Sequence, residues 1–74
     1  MGTKHSDKYK KIGNRIKFYR NKNKLSQAEL AIKAGISKSY LSKIEAENCD
    51  KSFSLEVLFD IADALEIPII KLLE

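Results

Sequence analysis

Gln27-Ala28-Glu29-Leu30-Ala31-Ile32-Lys33-Ala34-Gly35-Ile36-Ser37-Lys38-Ser39-Tyr40-Leu41-Ser42-Lys43-Ile44-Glu45-Ala46 reads as two short helices joined by a tight turn. Gly35 falls where the first helix has to stop, because glycine enters the left-handed backbone region without a Cβ clash. Ser37, two residues on, is a good N-cap for the helix that follows. Leu30, Ala34, Ile36, Leu41 and Ile44 are the apolar positions that would seat both helices on one core. Ala31 is small where the two cross most closely.

Working outward, Ser26-Gln27-Ala28-Glu29 fits a capping box, with Glu29 reaching back to the cap amide. The third helix is predicted over about Lys38 to Glu45. Upstream, Tyr9, Ile12, Ile16 and Tyr19 recur at the spacing of one buried helical face, so a first helix is predicted from about Tyr9 to Asn21. Residues 1–8 show no apolar period and read as a flexible arm, leaving residues 9–74 as the folded domain. Downstream, Ser54 is a cap for a fourth helix. Phe53 and Leu58 stand at the positions of a hydrophobic staple. Leu55, Leu58, Phe59, Ala62 and Leu65 are expected to form its apolar face. Ile67-Pro68 interrupts the pattern, and Pro68 is tolerated in the first turn of a short fifth helix. The expected architecture is all-α: a compact five-helix domain.

Size and composition narrow the function. A chain of 74 residues buries only about 60% of its unfolded surface, which leaves no room for a large catalytic cleft. One cysteine, Cys49, excludes an internal disulfide, and with the single His5 it cannot build a structural zinc site. No nucleophile–base pair or phosphate-cradling glycine loop is visible, so no enzyme, metal, cofactor or small-molecule ligand is expected. No apolar run is long enough for a membrane span or signal peptide, and a cytoplasmic protein is expected. Charge is divided along the chain. Residues 1–24 hold nine Lys/Arg against one Asp, residues 25–48 are balanced, and residues 49–74 hold two Lys against six acids. A basic front suits a polyanionic partner on one side. Two helices with this turn have the layout of a helix-turn-helix, for which double-stranded DNA is the expected partner.

Several blocks between Ile12 and Leu73 carry a resemblance. They are Arg15-Ile16-Lys17-Phe18-Tyr19-Arg20, Leu25-Ser26-Gln27-Ala28-Glu29-Leu30-Ala31, Lys33-Ala34-Gly35-Ile36, Tyr40-Leu41-Ser42-Lys43-Ile44-Glu45, and Ser54-Leu55-Glu56 with Ile61-Ala62-Asp63-Ala64-Leu65. Together they resemble the lambda-repressor-like helix-turn-helix domains of the Cro/CI (XRE) family. Lys38-Ser39-Tyr40-Leu41-Ser42 is also similar to SinR-type repressors of Gram-positive bacteria. The chain departs from the family pattern at Ala46-Glu47-Asn48, where a glycine often follows the glutamate, and at Phe53, where a proline often precedes the cap.

At 100° per residue, Lys38, Ser39, Ser42, Lys43 and Ala46 share one side of the third helix, opposite Leu41 and Ile44, with Tyr40 at the margin. Lys38, Ser39, Ser42 and Lys43 are therefore the candidates for reading bases, a lysine pairing with guanine O6/N7. The resemblance implies that Gln27 touches phosphate and braces the recognition helix, and that Arg20 pairs with Glu45. Ser26, Tyr40, Asn48, Lys51 and Arg20 are further phosphate candidates. Ile67, Ile69, Ile70, Leu72 and Leu73 are many for one small core, so either they pack tightly against the first and fourth helices or some of them, with Ile67, Ile69, Ile70 and Leu73 as the candidates, form a dimer patch. A homodimer, at least on DNA, would act as a repressor on a palindromic operator. Two other readings compete. An antitoxin would need a toxin-wrapping segment, and none is seen before Glu74. A protein-interaction module would use the acidic fourth helix, with Glu56, Asp60, Asp63 and Glu66.

Overall fold

A computed structural model describes residues 4–46 and 53–74. Among the described residues, five helices follow in order: α1 (Ser6–Lys22), α2 (Gln27–Ala34), α3 (Lys38–Glu45), α4 (Leu55–Leu65) and α5 (Ile70–Leu73). The core comprises Ile16 of α1, Leu30, Ala31 and Ala34 of α2, Leu41 and Ile44 of α3, and Leu58, Ile61, Ala62 and Leu65 of α4. Phe53 and Leu72 close it from the sides. Among the described residues, no helix is long and apolar enough to cross a membrane.

Local chemistry sets most of the helix ends. Ser26 accepts from the Glu29 amide at 3.0 Å, and Glu29 Oε1 accepts from the Ser26 amide at 2.8 Å, completing the capping box. Donation to the carboxylate from the Ser26 amide first and from the Ser26 hydroxyl second holds the Glu29 carboxyl below its ordinary value of 4.5. Because the folded value is the lower one, this contribution to stability is present above pH 4.5 and is lost as pH falls through the folded value. Ser37 and Ser54 cap α3 and α4 in the same way, accepting from Tyr40 and Val57. Gly35 ends α2 at φ 73°, and the Ile36 amide returns to the Ala31 carbonyl at 3.0 Å. A Cβ on Gly35 would meet nothing, so backbone conformation alone selects glycine there.

Three expectations are corrected. The first helix starts at Ser6, so the last residues of the supposed arm are helical. The His5 carbonyl accepts from Lys8 and Tyr9, and the Tyr9 ring packs edge-on against Phe53 at 4.9 Å. That aromatic contact anchors the opening turn although the turn itself is polar. The buried face of α4 is also rotated from the expected one. Ile61 is fully buried, while Leu55 and Phe59 stand outside. Finally, α5 begins after Pro68, whose carbonyl accepts from Lys71 to make the turn that precedes the helix.

The structure also gives Gly13 a role that periodicity does not show. A Cβ at Gly13 would run into the backbone carbonyl of Ile44. The glycine thus lets α1 cross directly over the end of α3, backbone against backbone. Gly13→Ala is expected to lower stability by about 1–3 kcal/mol from overpacking, outweighing the roughly 1 kcal/mol that alanine gains in helix propensity. Thermal denaturation followed by circular dichroism checks this. An unchanged or raised Tm would mean that α1 can withdraw from α3 without cost.

Candidate nucleic-acid interface

α3 is held by three features: the Gly35–Ser37 turn at its start, the core under Leu41 and Ile44, and a polar brace at its end. The brace centres on the Glu45 carboxylate, which is buried. Arg20 Nε donates to Glu45 Oε2 at 2.9 Å, and Arg20 Nη2 donates to Oε1 at 3.0 Å. Gln27 Nε2 also donates to Oε1, at 3.1 Å. Arg20 Nη1 donates to the Leu25 carbonyl at 2.8 Å, tying the guanidinium to the connector between α1 and α2. One carboxylate therefore links α1, α2 and α3. Among the described residues, no buried side-chain polar atom lacks a hydrogen-bond partner.

With its inner side pinned, α3 turns one face outward. Lys38, Ser39, Ser42 and Lys43 are all exposed, and with Ala46 they line a single open hollow. The hollow is shallow, and two ammonium groups and two hydroxyls rise from the side chains that line it. Ala46 leaves the helix in extended conformation at φ −67°, ψ 141°, without the left-handed glycine common at helix ends.

The phosphate candidates do not share one environment. Ser26 is exposed at the start of α2, its hydroxyl oxygen already accepting from Glu29. Gln27 is half-buried, with one amide hydrogen committed to Glu45 and the other without a partner among the described residues. Tyr40 is half-buried against the core. Arg20 is mostly buried and directs three of its N–H groups at Glu45 and Leu25, so its geometry serves the brace. Asn48 and Lys51 lie outside the described residues, as does Cys49.

The residues of the expected dimer patch differ in exposure. Ile67 and Ile69 are half-buried and pack against the core. The turn through Pro68 folds them inward. Ile70 and Leu73 remain exposed, at 60% and 48%. Leu73 shares a groove with Leu55 of α4, and Phe59 lies one turn beyond Leu55. Sequence reasoning missed Leu55 and Phe59 as surface residues, and it missed the carbonyl of Leu25 and the contact at Gly13. A glycine inside an otherwise regular helical pattern was the one available signal among these.

Comparison with known proteins agrees with this geometry, which is that of a helix-turn-helix domain. The helix-turn-helix family matches residues 16–72. The HTH-type transcriptional regulator SinR of Bacillus subtilis is 43% identical over 63 residues, covering 85% of this chain and 56% of SinR. The immunity repressor protein of Bacillus phage phi105 is 43% identical over 58 residues, covering 78% of this chain and 39% of the repressor. A crystal structure of SinR, the master regulator for biofilm formation, in complex with DNA superposes with a TM-score of 0.78 at 43% identity, covering 85% of this chain and 98% of that one. The chain belongs to the Cro/CI (XRE) family of helix-turn-helix domains. It spans about half the length of the curated SinR proteins it matches, and those relatives are regulators, not enzymes.

Removing the carboxylate from the brace strands the Arg20 charge in a buried setting. Glu45→Ala is expected to cost about 3–5 kcal/mol of stability, and chemical denaturation measures it. Full retention of stability would mean that the brace is solvated or dispensable.

Proposed function

We propose that this domain binds double-stranded DNA with α3 in the major groove and represses transcription by occluding promoter DNA as a homodimer in the cytoplasm. The observation that carries the reading is the pairing of two opposite faces on α3. One face is locked to the scaffold through Leu41, Ile44 and Glu45, and the other presents Lys38, Ser39, Ser42 and Lys43 together in one hollow. A helix with its side chains is about 10–12 Å across and enters a major groove about 12 Å wide. Support also comes from the relatives, which include a phage immunity repressor and SinR seen on DNA.

In this reading Lys38, Ser39, Ser42 and Lys43 reach base edges. Gln27, at the N-terminal end of α2, uses its second amide hydrogen on a phosphate, where the helix dipole favours an anion. Ser26 and Tyr40 flank the same backbone. Ile70 and Leu73, extended by Leu55 and Phe59, supply the apolar contact between two copies. A two-fold dimer sets its recognition helices about 34 Å apart and reads a palindrome.

Selection of bound duplexes from a random-sequence pool is the direct test. Enrichment of a palindrome is expected. No enrichment by a folded domain would shift the reading toward a regulator acting through a protein partner. On the selected site, Lys43→Ala is expected to cost about 1–3 kcal/mol, and much less on duplexes altered at its own base pair. An equal loss on every sequence would reassign Lys43 to phosphate. Replacing both Ile70 and Leu73 by glutamate is expected to leave the helical spectrum intact and to abolish cooperative binding to paired half-sites. Binding curves on one and two half-sites decide it, and retained cooperativity would place the contact elsewhere.

A further inference from the structure

We propose that α1 carries a second DNA-contacting strip, formed by Lys10, Asn14 and Lys17, which grips the phosphate backbone on the wall of the groove that α3 enters. The inference rests on the DNA-binding reading above and extends the contact surface beyond the helix-turn-helix.

The placement follows from what the two sides of α1 touch. Gly13 and Arg20 lie on the line of α1 that meets α3, Gly13 against the Ile44 carbonyl and Arg20 on Glu45. At 100° per residue, Tyr9, Ile12 and Ile16 fall to one side of that line, and all three pack into or against the core. Lys10, Asn14 and Lys17 fall to the other side, and all three are exposed. Because the core fills the other side of the α1–α3 crossing, this flank faces solvent next to the end of α3 that Gly13 and Arg20 hold.

Groove dimensions then determine what the flank would meet. A helix with its side chains is about 10–12 Å across, which fills a major groove about 12 Å wide. An element packed alongside that helix reaches the sugar–phosphate wall, not the base edges. Lys10 and Lys17 are seven residues apart, about 10 Å along the axis at 1.5 Å per residue, a span that covers a few phosphates of one strand. Asn14 sits between them with an amide able to donate. Asp7, in the first turn, is the one acid on α1. Among the described residues, neither lysine pairs with a carboxylate.

The same helix supplies its own control. Lys11 and Lys22 are exposed further round α1 from the line that meets α3, Lys11 at the rim of the hollow that Lys10 and Asn14 line. Lys10→Gln/Lys17→Gln and Lys11→Gln/Lys22→Gln remove equal charge from different positions around the helix. Fluorescence anisotropy over a range of salt, with the selected duplex and an unrelated one, compares them. The first pair is expected to weaken binding about tenfold or more on both duplexes, and to reduce the log–log salt slope by about 1.8, two phosphate contacts at about 0.9 each. The second pair is expected to leave the slope near that of the unaltered domain. Equal effects from both pairs would reduce the strip to net charge and overturn it. An unchanged slope in the first pair would overturn it as well, while leaving the recognition helix in place. An unaltered domain that binds neither duplex would overturn the DNA-binding reading and the strip with it.

Discussion

The buried Glu45 carboxylate is the constraint on which the rest depends. Taking a carboxylate and a guanidinium out of water is expensive, and such a pair is seldom more stable than well-packed apolar residues of similar size. What it adds is geometry. A two-point contact between a planar fork and a carboxylate admits few relative orientations. The Gln27 amide on the same oxygen adds a third helix to the constraint. The pair also neutralises an acid at the end of the helix proposed to approach a polyanion. Without Arg20, Glu45 would repel the phosphates that Gln27 and Ser26 are placed to meet.

Gly13 acts on the same end of α3 by a different means. The brace fixes direction through polar contacts, while the glycine fixes distance through the absence of a side chain. With α1 seated on the Ile44 carbonyl, α3 lies backbone to backbone against α1 at that end. Its N-terminal end is fixed separately by the left-handed turn at Gly35 and the Ser37 cap. The helix so held is short, and isolated helices of this length are marginal in water. Its shape therefore comes from its supports and not from its own propensity.

Features governed by local chemistry were legible in the sequence. The capping box at Ser26, the stop at Gly35 and the caps at Ser37 and Ser54 each depend on residues within a few positions of one another. Features decided by tertiary packing were less so. In α4, apolar residues occupy Leu55, Val57, Leu58, Phe59, Ile61, Ala62, Ala64 and Leu65, nearly the whole circumference. Period alone cannot choose a face from such a pattern, and packing chose the one containing Ile61. The end of α4 carries no glycine, since Glu66 itself takes the left-handed conformation at φ 58°. The early start of α1 depends on Tyr9 meeting Phe53, more than forty positions away. The Arg20–Glu45 pair came from family resemblance, and no spacing rule would have found the Gln27 and Leu25 contacts that complete it.

These two sets of residues divide the work of α3. Leu41, Ile44 and Glu45 bear on stability and orientation and are closed to change, because each is enclosed by other elements. Lys38, Ser39, Ser42 and Lys43 are exposed and stand outside the core. Substitution there is nearly free of folding cost, since exposed positions away from caps and packing shift stability little. A scaffold of this kind can alter which bases it favours while its recognition helix stays in the same place. The separation holds only while the brace is intact, because a helix free to tilt would move all four outward side chains together and lose the register on which discrimination between bases depends.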